Sequence, residues 1–168
     1  QSGRRPDLRP GPYGTGNSES SGNGNDIQRS GGNSPRIRFL IMEDVLQKSF
    51  IAGLERLTAR AELLDSINVF PVADGDTGRN LSVSLIPLRN AGRPQENIIH
   101  QLLLSARGNS GNIASRFFSS FSAAGSVAQL ADQAREGAKK AWQAVSHPRP
   151  GTMLSIFDAL AEALPQDL

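Results

Sequence analysis

The chain has 168 residues, a formal net charge of +2, 38% hydrophobic and 5% aromatic residues, and no cysteine. The missing thiol excludes disulfides, thiolate metal sites and cysteine nucleophiles, and no apolar run reaches the length of a membrane span or of a signal-peptide core, which makes the cytoplasm the expected compartment. Residues 1–38 hold six Arg against three acids and residues 39–168 hold twelve Lys and Arg against thirteen Asp and Glu, so the larger part offers no basic groove for a phosphate backbone and nucleic acid is not an expected partner.

Residues 1–38 are dense in Gly, Ser, Pro, Asn and Arg and have too little apolar surface to offset the entropy of ordering. They read as a disordered leader, followed by one globular domain over 39–168. Because the chain opens on Gln rather than Met, a fragment or a processed chain is expected.

Within the domain, Leu46, Phe50, Leu54, Leu57, Ala61 and Leu64 recur every three or four positions, which predicts a first helix over 43–65. A second is predicted from about Thr77 until Pro87 disturbs it, and a third over "QENIIHQLLL" after the turn signal "AGRP". The fourth follows "ARGNSGN" with Ile113, Phe117 and Phe121 on one side. The fifth spans 127–145 with Leu130, Ala134, Ala138, Ala141 and Trp142 in phase. The sixth follows "SHPRPGT" and presents Met153, Ile156, Phe157, Leu160 and Leu164. No segment alternates with period two between hairpin turns, so the expected class is all-α, with about six helices joined by short loops.

The stretch "NVFPVADGDTGRN" sets Asp74 and Asp76 on either side of Gly75, with Gly78 following. In an extended segment both carboxylates point the same way and repel unless a cation lies between them. Magnesium takes hard oxygen ligands, often one or two carboxylates, and completes its shell with water and phosphate oxygens; Asn68 would add a neutral carbonyl oxygen. Turn formation and N-capping are the alternative use of the same residues. A calcium hand starting at Asp74 fails, because its fifth, sixth and twelfth residues are Gly78, Arg79 and Leu85.

The second glycine-rich stretch places Gly108, Asn109, Ser110 and Gly111 at the head of the fourth helix. Free N–H groups and a hydroxyl at a helix start suit a phosphate, with Ser110 as a simple helix cap the alternative. The spacing matches neither G-x-S-x-G nor a P-loop. Thr152 is a candidate cap for the sixth helix, and Met153 reads as core or as an apolar wall for a flat ring. His100 and His147 are assigned to structure, and Trp142 to the core.

The segments "SINVFPVADGDTGRNLSVSL", "ARGNSGN" and "PRPGTMLSI", in this order, resemble the nucleotide-binding domain of the dihydroxyacetone-kinase family. Within it the version with "NVFPV" and Thr77 is most similar to the amino-terminal domain of bacterial fatty-acid kinase catalytic subunits. The resemblance implies an α-helical barrel whose loops at one end bind ATP or ADP with two magnesium ions. Asp74 and Asp76 match the metal-ligand and catalytic carboxylates, with Asn68 as a further metal ligand. Thr77, Gly78, Arg79 and Asn80 match the loop beside the phosphates, Asn109, Ser110 and Gly111 the second phosphate loop, and Thr152 and Met153 the nucleotide pocket. Thr77 stands where the dihydroxyacetone branch has histidine, which points the acceptor toward a fatty-acid carboxylate delivered by a separate fatty-acid-binding carrier protein. The family domain has about eight helices and a Gly-rich segment beyond Leu168, so either a truncated fragment or a domain completed by another polypeptide is expected, with a homodimer as a further expectation. A dihydroxyacetone-kinase subunit and a non-catalytic nucleotide-binding module are the alternatives.

Overall fold

The computed structural model describes residues 35–69, 74–91 and 95–165; most of the leader expected over 1–38 lies outside them. Among the described residues seven α-helices follow one another: α1 (Pro35–Ala59), α2 (Ala61–Ser66), α3 (Thr77–Ser84), α4 (Gln95–Ser105), α5 (Gly108–Phe121), α6 (Val127–Trp142) and α7 (Met153–Ala163). A 3-10 segment, Ile86–Asn90, follows α3 with Pro87 in its first turn. Proline has no N–H to continue an α-helix and is tolerated at such a start. No strand occurs among the described residues. The all-α class is as expected from the sequence.

The helix expected over 43–65 is interrupted at Arg60, where α1 ends and α2 begins. Local periodicity gives no sign of this break; its cause is tertiary. α2 packs against α3, and a Cβ on Gly78 would come within 2.2 Å of the Ala61 carbonyl oxygen. A continuous helix would not set the α2 backbone against the start of α3 in this way. α1 also begins at Pro35, four residues before the expected boundary at Phe39.

α5 is the central element, packing against α3, α4, α6 and α7. Its Phe117 is fully buried and stacks on Phe157 of α7 with ring centroids 4.0 Å apart and an interplanar angle of 5°. Phe50 of α1, Phe118 and Phe121 complete an aromatic cluster. Against this bulk α6 offers only small residues, Ala131, Ala134, Gly137, Ala138 and Ala141, so its backbone comes close. A Cβ on Gly137 would lie 2.7 Å from the Phe117 carbonyl oxygen. Large on one helix and small on its neighbour is how interdigitated layers fill space without voids. Trp142, half-buried beside this core as expected, donates its indole N–H to both oxygens of Asp158 at 3.0 Å.

Candidate functional site

The acidic tip is framed by α2 and α3. Gly75 adopts φ 64, a left-handed conformation that side chains with a β-carbon resist. It lies against the last turn of α2, where a Cβ would sit 3.8 Å from the Asp65 carbonyl oxygen. Asn68 donates from Nδ2 to Oδ1 of the exposed Asp74 at 2.6 Å, which brings two of the three expected metal ligands together and leaves the Asn68 carbonyl oxygen available. Residues 70–73 of this loop lie outside the described residues.

Asp76 occupies the N-cap position of α3, yet its carboxylate makes no cap hydrogen bond. The turn-and-cap alternative therefore holds for its backbone position alone. The N–H groups of Gly78 and Arg79 instead donate to Oδ1 of Asp65, at 2.6 and 3.3 Å, and Asn80 N–H closes the first helical bond to the Asp76 carbonyl at 2.8 Å. The Gly78, Arg79 and Asn80 donors at this helix start are thus filled from within the chain. Gly78 and Arg79 present no free N–H to a ligand.

The second stretch is already helical. α5 begins at Gly108, φ 58, so Asn109, Ser110 and Gly111 form its first turn rather than a loop before it. Ser110 does not cap this helix. The N-cap is Arg107, with no side-chain cap bond; its guanidinium folds back onto the carbonyls of Leu104 and Ala106 at 3.3 and 3.0 Å. Ser110 Oγ points to the Thr77 carbonyl at 3.5 Å. Among the described residues the N–H groups of Gly108, Asn109 and Ser110 have no partner, the condition that lets a helix start accept an anion.

The two stretches meet. A Cβ on Gly108 would fall 2.4 Å from the Asn80 amide nitrogen, and one on Gly111 would fall 2.1 Å from Ser84 Oγ. Ser84, wholly buried, donates to the Asn80 carbonyl at 2.6 Å and accepts the Arg107 N–H at 2.9 Å, while its own carbonyl accepts Ser105 Oγ at 2.8 Å. Thr77, Asn80, Gly108, Ser110 and Gly111 therefore form one corner of the molecule. Thr152 and Met153 stand apart: no hydrogen bond joins them to that corner among the described residues. Thr152 caps α7 as expected, its Oγ1 accepting the Leu154 N–H at 3.4 Å and donating to the Arg149 carbonyl at 2.9 Å. Met153 packs, half-buried, on the core.

Sequence reasoning missed Asp65 and Ser84. The available signals were an acid within the last turn of an amphipathic helix and a serine four residues after Asn80 in an otherwise apolar "LSVSL" run. A polar cleft of about 280 Å³ between α5 and α6 was also not foreseen; it is lined by Asn112, Arg116, Lys140, Gln143 and Ala144. None of the expected site residues lines it.

No group of three or more His, Cys, Asp or Glu able to hold a metal converges among the described residues. A hard cation that keeps water and phosphate oxygens in its shell needs only one or two protein carboxylates. Asp74 and the unengaged Asp76 meet that requirement, with Asn68 beside them.

Fold and corner together define a class: an all-helical domain in which an acidic loop and an uncapped, glycine-led helix start lie side by side. The chain belongs to the DAK2 family, whose domain model matches residues 71–168. DAK2 domains are nucleotide-binding, kinase-associated modules of the dihydroxyacetone-kinase family that often work with partner subunits. An uncharacterized protein of Staphylococcus epidermidis is 37% identical over 128 residues, covering 67% of this chain. Uncharacterized proteins of Staphylococcus saprophyticus and Staphylococcus aureus are 34% identical over the same length and share of the chain. The chain spans 23% of the length of each of these relatives. No described helix is long and apolar enough to cross a membrane.

Proposed function

We propose that this chain is the magnesium- and ATP-binding domain of a kinase of the fatty-acid kinase type, which passes the γ-phosphoryl group to a fatty-acid carboxylate presented by a separate lipid-binding protein. The observation that carries the reading is the Asp76 carboxylate, which sits at a helix N-cap without capping it, next to Asp74 and beside the open start of α5. In this reading Asp74 and Asp76, with the Asn68 carbonyl oxygen, hold the metal. The N–H groups of Gly108, Asn109 and Ser110 take phosphate oxygens. Thr77 and Asn80 shape the wall between the two.

Asp74, Asp76 and the Asn68 carbonyl oxygen would hold the magnesium, which would supply positive charge against the phosphates during transfer. The protein's own part is to hold the triphosphate between the acidic tip and the α5 start. An acceptor carboxylate is already ionised, so the site requires no strong general base. Met153 would wall the base of the nucleotide from the α7 side, with Thr152 fixing the start of that helix. The acceptor, the carrier protein, a second magnesium ion and a homodimer belong to the same proposal. They rest on the resemblance of the three motifs and on Thr77.

The test has two arms. Magnesium with ATP is expected to raise the melting temperature of the purified chain, since a ligand bound by the native state alone stabilises it, and Asp74→Asn or Asp76→Asn is expected to remove that rise. Incubation with ATP, fatty acid and a cognate carrier is expected to release ADP in a carrier-dependent way. Tight nucleotide binding without ADP release would replace the kinase reading with that of a non-catalytic nucleotide-binding module.

A further inference from the structure

At an ordinary helix start an N-cap aspartate accepts the N–H groups of the second and third helical residues with its own carboxylate. In α3 those residues are Gly78 and Arg79, and the N-cap is Asp76. Both N–H groups are taken by Oδ1 of Asp65, thirteen and fourteen positions earlier in the chain. Asp65 sits half-buried on α2, which the break at Arg60 turns toward α3. Its backbone carbonyl also lies under Gly75 at the acidic tip.

We infer that Asp65 is a positioning residue that caps α3 in place of Asp76 and thereby leaves the Asp76 carboxylate open to a cation. Asp65 is not itself a third ligand: Asp65, Asp74 and Asp76 do not converge as a metal site, and one Asp65 oxygen is committed to two N–H groups. The two half-buried carboxylates thus divide the labour, Asp65 engaged by two N–H groups and structural, Asp76 with no cap bond. With Asp65 shortened, the nearest acceptor for the freed N–H groups is Asp76, whose carboxylate would swing back onto its own helix. The chain would keep its fold and lose its metal ligand. This inference rests on the magnesium-nucleotide reading above.

The capping exchange is tested without any nucleotide, by a double-mutant cycle in melting temperature. Asp76→Ala alone is expected to shift the midpoint by no more than about 2 °C and Asp65→Ala by about 5 °C. The double variant is expected to fall by clearly more than the two added, because Asp76 is the reserve cap only when Asp65 is gone. Additive shifts overturn the exchange.

Should Asp65→Ala fail to fold, the exchange is read in Asp76→Ala, where amide protons of Gly78 and Arg79 are expected to stay as protected as in the unaltered chain. Loss of that protection would show that Asp76 was the cap all along. The consequence for the metal is read as the magnesium concentration giving half-maximal ATP binding. It is expected to rise about tenfold or more in Asp65→Ala, as for loss of other groups that orient a ligand, and to stay near that of the unaltered chain in Asp65→Asn, which keeps the accepting oxygen. An equal rise in both variants, or none in either, overturns the positioning role. If the unaltered chain binds no nucleotide in the presence of magnesium, the functional reading fails, and the thermal cycle still decides the capping exchange.

Discussion

The starts of α3 and α5 look alike in the sequence and differ in the folded chain. Each has a glycine in its first turn and a polar residue nearby, and each reads as a place where free N–H groups and the helix dipole attract an anion. In α3 two of those groups, the N–H of Gly78 and of Arg79, are closed by Asp65, a side chain from another helix. In α5 the residue at the N-cap is Arg107, whose guanidinium turns away to the end of α4, and the first N–H groups stay open. The lesson is that a helix start is an anion site only if the rest of the chain leaves it one. The same closure at α3 sets free the Asp76 carboxylate, so one loop can serve a cation and its neighbour a phosphate.

The comparison can be broken at its joints. Gly78→Ala is expected to do the most damage, because its Cβ would meet the backbone of Ala61 at 2.2 to 2.7 Å. Overpacking against backbone predicts a loss of about 3 kcal/mol, or failure to fold, in chemical denaturation. A smaller effect, about 2 kcal/mol, is expected for Ser84→Ala, which strips the Arg107 N–H of its buried acceptor. Gly108→Ala forces a β-carbon into left-handed backbone at φ 58 and against Asn80. It is expected to cost roughly 1–2 kcal/mol and to weaken nucleotide binding, since the opening of α5 would shift. The smallest change in stability, within about 0.5 kcal/mol, is expected for Asp76→Asn, whose carboxylate has no cap bond to lose. That same substitution is expected to remove the thermal shift caused by magnesium and ATP. A variant silent in stability and decisive in ligand response separates a metal ligand from a turn former.

The helices were legible where apolar residues repeat with helical spacing and no distant group intervenes. α4, α6 and α7 fall where the sequence places them, but their buried faces match only in part: Ala134, Ala138 and Ala141 on α6 and Phe157 on α7 are buried as expected, whereas Ile156 and Leu160 are exposed and Leu154 and Ala161 are buried instead. Thr152 was legible as a cap because its job is local. The break at Arg60 was not, because it follows from the approach of Gly78 to Ala61. Nor was the early start of α5, where four polar or glycine residues mask a helical turn held by Ser84 and by the Gly111 N–H bonded to the Arg107 carbonyl. At the candidate site the sequence brings forward Asp74, Asp76, Asn109 and Ser110 by their types and spacing. Asp65 and Ser84 have the commonest of polar roles and gain meaning only when two helices cross.

The most direct test of the central claim is calorimetric titration of the chain with ATP, with and without magnesium, repeated on Asp76→Asn. The account predicts binding that requires magnesium and disappears in the variant while its melting temperature without ligand holds. Binding of equal strength without magnesium, or undiminished in Asp76→Asn, would contradict it.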